Sequence, residues 1–137
     1  MWKPFNQNKI RNSDPGKRSL QLITQKNMPF AYIEAYKSLR TNLNFLAGSN
    51  DVHSLVVTST APEESKSNVS VNLALTLAES GKKVVLVDCD LRKPVLHKYL
   101  KAGHNLKGIS NLLSRQAELS DALVSLESFG FDFLPAG

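Results

Sequence analysis

The chain has 137 residues, 42% of them hydrophobic, and carries a net charge of +5 from 17 Lys and Arg against 12 Asp and Glu. That length supports one core of ordinary size, and a single cysteine, Cys89, excludes an internal disulfide and suits a reducing cytoplasm. No apolar run approaches a membrane span, no signal-peptide core opens the sequence, no Cys/His spacing suits a metal, and no aromatics interleave with basic clusters, so nucleic acid is not an expected partner.

In chain order, residues 1–28 read as a flexible basic arm. Much of the excess charge lies between Lys3 and Lys26, in a stretch with little periodicity that also holds Asn6, Gln7, Asn8, Asn12 and Gly16. Residues 29–137 read as the N-terminal portion of a P-loop kinase or ATPase domain. Ile33, Tyr36, Leu39 or Arg40, Leu43 and Leu46 recur every three to four residues, which predicts an amphipathic helix over 32–47 that ends near Gly48 and faces the core with that stripe.

The most informative stretch is Leu55-Val56-Val57-Thr58-Ser59-Thr60-Ala61-Pro62-Glu63-Glu64-Ser65-Lys66-Ser67. A β-branched run predicts a strand over 55–58, and a loop closed by Lys66-Ser67 leads into an apolar helix over 68–80, stopped by Gly81. Backbone N–H groups and the positive end of such a helix converge on phosphate oxygens. Pro62, Glu63, Glu64, Ser65, Lys66, Ser67 and Asn68 are the candidate nucleotide-binding residues, with Lys66 reaching the β- and γ-phosphates and the Ser67 hydroxyl on Mg²⁺. The strict pattern has two glycines where this chain has Thr60 and Ser65. Glycine before the lysine freely supplies a left-handed backbone; serine there costs about 1 kcal/mol or more.

Val84-Val85-Leu86-Val87 predicts a buried parallel strand over 84–88, with Asp88 and Asp90 at its carboxyl end, where open α/β sheets hold their ligands. Both are candidate catalytic residues alongside Lys66, and Asp88 joins Ser67 as a candidate metal ligand. Cys89 between them reads as a small buried filler. His53, His97 and His104 stand alone without ligand spacing. Residues 109–113 and 119–126 read as short helices and 131–134 as a third strand. The fold class expected is α/β: a P-loop NTPase-like three-layer αβα arrangement with a mostly parallel, incomplete sheet.

These motifs resemble the bacterial tyrosine kinases of capsular and exopolysaccharide biosynthesis. The resemblance rests on the loop with Pro62, Glu64, Lys66 and Ser67, on Asn72-Leu73-Ala74, Gly81-Lys82-Lys83-Val84 and Asp88-Cys89-Asp90-Leu91-Arg92-Lys93-Pro94, and on Glu34-Ala35-Tyr36-Lys37-Ser38-Leu39-Arg40-Thr41-Asn42 and Leu134-Pro135-Ala136-Gly137. It covers roughly residues 29–137. It implies ATP and Mg²⁺ as cofactors, with Asp88 and Asp90 serving the metal and activating an acceptor tyrosine hydroxyl. It implies oligomerisation into a homo-oligomeric ring through Glu34, Lys37 and Arg40, where Lys37 replaces an arginine and loses its planar fork. It further implies a transmembrane modulator partner and a cytoplasmic protein held peripherally at the inner face of the plasma membrane. By the same resemblance, the family's Walker B strand and tyrosine cluster are expected after residue 137, so the isolated chain is expected to be weak or inactive. Two other readings compete: a ParA/MinD-like partitioning ATPase, disfavoured by Ala61 where an additional lysine is usual, and a catalytically dead nucleotide-fold remnant that only binds a partner.

Overall fold

The computed structural model describes residues 19–48, 54–61 and 65–137. Helix α1 (Phe30–Ala47) starts one residue past Pro29, whose carbonyl accepts the Tyr32 and Ile33 amides. Helix α2 (Lys66–Glu79) follows the loop, and its middle is buried on all sides: Val71, Leu73, Ala74 and Leu75 together with the polar Asn72 and Thr76. It ends where Gly81 takes φ +87° and donates to the Ala78 carbonyl, a backbone that a Cβ would strain. Beyond it lie β1 (Val85–Val87), α3 (Leu96–Tyr99), α4 (Ile109–Leu113), α5 (Leu119–Ala122), β2 (Val124–Leu126) and β3 (Phe131–Leu134).

The sheet runs in the order β1-β3-β2. β1 pairs with β3 in parallel, Leu86 opposite Phe133, and β2 pairs with β3 antiparallel, Val124 opposite Phe133. Helix α2 packs on β1 and β3, and α1 packs on α2. Phe133 and Val71 are wholly buried at this junction, and Leu75, Leu96, Leu100, Leu126, Phe131 and Ile23 complete the core. The architecture is the α/β one the motifs require, with α2 and β1 where a β-loop-α-β unit places its helix and second strand.

Four details differ from the sequence expectations. Residues 54–59 run without regular structure and join no ladder among the described residues, so β1 is an edge strand there, and Val85 and Val87 face outward rather than into a core. The sheet is accordingly mixed, one parallel and one antiparallel pair. The helix expected over 119–126 stops at Ala122, because β3 offers Val124–Leu126 a ladder that a short helix cannot match. The α1 stripe is buried only in its first half: Tyr36 is in the core, while Leu39, Phe45 and Leu46 are exposed.

Of the arm expected over 1–28, residues 20–23 pack on the domain, with Ile23 inserted into the core; residues 1–18 lie outside the described residues. Among the described residues no helix is long and apolar enough to cross a membrane.

Candidate nucleotide site

The turn into α2 is built on a non-glycine left-handed residue. Ser65 occupies the N-cap at φ +63°, ψ +22°, and its hydroxyl caps no backbone N–H. This is the conformation for which the motif reserves glycine, and α2 begins directly after it. Ser65→Gly should therefore raise stability by roughly 0.5 kcal/mol, the relieved left-handed strain less the greater chain entropy of glycine, readable as a small rise in denaturant midpoint at unchanged m-value. A lower midpoint would mean that the serine side chain contributes something the backbone strain hides.

Lys66 opens the helix, and its Nζ donates to Ser59 Oγ at 3.0 Å; that hydroxyl donates in turn to the Ala61 carbonyl at 2.8 Å. The lysine thus spans the loop and ties its entering limb to its exit. Pro62, Glu63 and Glu64 lie outside the described residues. Ser67 sits in the first turn of α2, half-buried. Asn68 is turned to the other side: its Oδ1 accepts the Gln21 amide at 2.8 Å and its Nδ2 donates to the Tyr32 hydroxyl at 2.7 Å.

At the end of β1 the two carboxylates diverge in environment. Asp88 is buried, 5% exposed, and its backbone N–H donates to the Leu134 carbonyl, anchoring it to the last residue of β3. Its Oδ1 accepts the Asp90 amide at 3.0 Å. Burial pushes its pKa above the ordinary value of 3.8; the backbone N–H groups of Asp90 and Leu96 and the nearby His97 oppose that, and the Asp90 charge adds to it. Asp90 is exposed and accepts the amides of Arg92 and Lys93, a turn that holds its carboxylate at the rim. Cys89 between them is exposed, not the buried filler expected, because β1 has a core on one face only.

The oligomerisation trio divides. Glu34 and Lys37 pair at 3.4 Å on the surface, both side chains nearly half exposed, a contact worth little by itself. Arg40 turns inward and donates from Nη1 to the Thr76 carbonyl at 2.6 Å, joining α1 to α2.

Sequence reasoning missed the polar junction beneath the loop. Asn72 is wholly buried in the middle of α2, its Oδ1 accepting the Ile23 amide at 2.9 Å and its Nδ2 donating to the Gln21 carbonyl at 2.8 Å. The signal was an amide residue inside an apolar helix, where a buried polar side chain demands partners.

Among the described residues no group of three or more His, Cys, Asp or Glu could hold a metal alone. The oxygen donors that are present, the buried Asp88 carboxylate and the Ser67 hydroxyl, are of the type Mg²⁺ takes, since that ion uses one or two protein oxygens and completes its shell with water and substrate phosphates.

Residues 55–129 match the CobQ/CobB/MinD/ParA nucleotide binding domain. The tyrosine-protein kinase YwqD of Bacillus subtilis (strain 168) is 35% identical over 104 residues, covering 76% of this chain and 44% of that protein. The kinase domain of the Escherichia coli tyrosine kinase ETK superposes with a TM-score of 0.72 at 31% identity, over 82% of this chain and 47% of that one. The chimerical protein CapA2B2 superposes with a TM-score of 0.72 at 35% identity, over 83% of this chain and 49% of that one. The chain spans about half the length of each of these three.

Proposed function

Because the chain belongs to the CobQ/CobB/MinD/ParA nucleotide-binding domain family and its curated relatives are bacterial tyrosine-protein kinases, we propose that it is the nucleotide-binding portion of an ATP-dependent protein tyrosine kinase serving capsular or exopolysaccharide biosynthesis. The observation that carries the reading is the opening of α2: a left-handed Ser65 presents the first N–H groups of a 14-residue helix, and Lys66 is poised over the loop. The kinase names of the relatives favour this reading over a partitioning ATPase.

In this reading the helix N-terminus and Lys66 bind and orient the polyphosphate, Lys66 exchanging the Ser59 hydroxyl for β- and γ-oxygens. Ser67 and Asp88 would hold Mg²⁺, which when bound supplies neutralisation of charge across the β- and γ-oxygens. Burial suits Asp88 to that task, since a carboxylate short of solvation gains most from a cation. Asp90, exposed at the rim, accepts the acceptor tyrosine's proton as the phenolic oxygen bonds to the γ-phosphorus and the bond to the β–γ bridging oxygen breaks, releasing ADP. Glu34 and Lys37 would contribute to a homo-oligomeric ring, Arg40 reaching it only by giving up the Thr76 carbonyl. A transmembrane modulator would hold the protein peripherally at the cytoplasmic face of the membrane.

Mg²⁺-dependent binding of a fluorescent ATP analogue, measured on wild type, Lys66→Ala and Ser65→Gly, tests the site. Loss of the charged contact in Lys66→Ala should weaken binding on the order of tenfold, and Ser65→Gly should match or exceed wild type. No binding by any of the three would remove the functional loop from the reading.

A further inference from the structure

Residues 20–23 form a strap across the start of α2, and one phenol fastens it. The Tyr32 hydroxyl donates to the Gln21 carbonyl at 3.0 Å and accepts from Asn68 Nδ2 at 2.7 Å and Asn72 Nδ2 at 3.2 Å. The same two asparagines, one helical turn apart, take the strap's outward amides, Gln21 N on Asn68 and Ile23 N on Asn72, so side-chain amides act as a second strand. Ile23, 5% exposed, pins the far end in the core. The Tyr32 ring meets Tyr36 edge-on with centroids 5.3 Å apart. Burial, then the Tyr36 hydroxyl, pushes the Tyr32 phenol up to about 12, so it stays a proton donor to the Gln21 carbonyl at any physiological pH. Of the three tyrosines, Tyr36 is buried and Tyr99 half-buried away from the strap; Tyr32 is half-buried, with an exposed bond to Gln21 and part-buried bonds to the two asparagines.

We propose that Tyr32 is a phosphorylation site whose modification releases the strap at 20–23 from the helix that follows the phosphate loop. The phenolic oxygen takes the γ-phosphoryl group of a nucleoside triphosphate, the bond to the bridging oxygen breaks, the nucleoside diphosphate leaves, and the phenolic proton passes to the kinase's base or to water. The product lacks one of the two donors to the Gln21 carbonyl, leaving Asn72 Nδ2 alone to hold it. It carries a charge of roughly −1.5 to −2 and three further acceptor oxygens, which repel the Gln21 carbonyl and compete for the two Asn Nδ2 groups. Asn68 is next in sequence to Ser67, so the state of the strap reaches the first turn that the phosphate loop shares. The proposal uses tyrosine-kinase chemistry in keeping with the proposed function, but any tyrosine kinase can supply the phosphate.

The test uses the full chain with ATP, Mg²⁺ and an unrelated broad-specificity tyrosine kinase, so that a chain without activity of its own leaves the result unaffected. Phosphate is located by mass spectrometry, and amide hydrogen exchange is followed by NMR at Gln21 and Ile23, in wild type and in Asn68→Ala, which loosens the strap by removing the acceptor of the Gln21 amide and frees the phenol of one donor. Expected are phosphate on Tyr32, entering faster in Asn68→Ala, and exchange at Gln21 and Ile23 accelerated on the order of tenfold or more by the lost bonds while the amides of β3 stay protected. The proposal falls if Tyr32 stays unmodified in both proteins, or if phosphate on Tyr32 leaves the Gln21 and Ile23 amides as slow as before.

Discussion

Gly108→Ala is expected to lower the melting temperature by roughly 10 °C, the equivalent of about 3 kcal/mol in a domain of this size. The residue is not left-handed; it is extended, and its glycine is demanded by proximity. The chain after β3 docks on the start of α4, where Ile109 N donates to the Pro135 carbonyl at 2.8 Å and Ser110 N to the Ala136 carbonyl at 2.9 Å. A Cβ at position 108 would overlap both the Pro135 carbonyl oxygen and the Gly137 nitrogen, backbone atoms that no rotamer can move aside. Relief requires separating the two segments, which breaks those hydrogen bonds and uncovers the buried Pro135 and Ala136. Gly48→Ala is the comparison: a Cβ there meets nothing, and only its backbone, φ +60° and ψ −135°, is strained, at about 1–2 kcal/mol. Equal melting temperatures for the two variants, by calorimetry, would show that the 135–137 segment is not held as described.

That docking also positions the candidate site. Leu134 closes the ladder by accepting the Asp88 amide, so a shift of residues 134–137 is passed directly to the carboxylate at the end of β1. Nucleotide binding should therefore weaken in Gly108→Ala even below its melting temperature, although the substituted atom lies in another element.

How far these features were legible in the residues follows from what fixes each one. Lys66 at the opening of α2 and the left-handed Ser65 were readable because phosphate chemistry dictates the residue spacing and the backbone. β3 was readable because Phe131, Phe133 and Leu134 leave little choice but burial. Val124–Leu126 was not, since three residues after a helical turn carry no period; the ladder with β3 decides them, and that partner is tertiary. The strand expected over 55–58 had the composition of a strand but found no neighbour among the described residues. The strap was the least accessible of all. Its hydrogen bonds join positions 47 to 51 apart in sequence, from backbone to asparagine side chains, and no local pattern announces such a pairing.

Asp88→Asn is expected to split stability from function. Because burial raises its pKa above 3.8, the folded chain holds this proton more tightly than the unfolded chain does. Stability from this group is therefore greatest below the ordinary carboxyl range and is lost as pH rises through it toward the raised value, leaving a buried charge opposed by N–H donors but not neutralised. Asparagine keeps an acceptor for the Asp90 amide and removes the charge. The variant should melt higher than wild type at pH 7, and the difference should shrink as both are acidified below the carboxyl range. Mg²⁺-dependent nucleotide affinity should move the other way, falling on the order of a hundredfold if the carboxylate is the metal's protein ligand. Melting temperature against pH, with and without Mg²⁺ and ATP, reads both effects in one experiment. Wild type should gain more from the two together than from either alone, while Asp88→Asn should gain nothing from Mg²⁺. Destabilisation at pH 7 would mean that the Asp88 charge is already compensated within the fold. Undiminished Mg²⁺ dependence would place the cation on another carboxylate, and Asp90, two residues along the same turn, would take over that role.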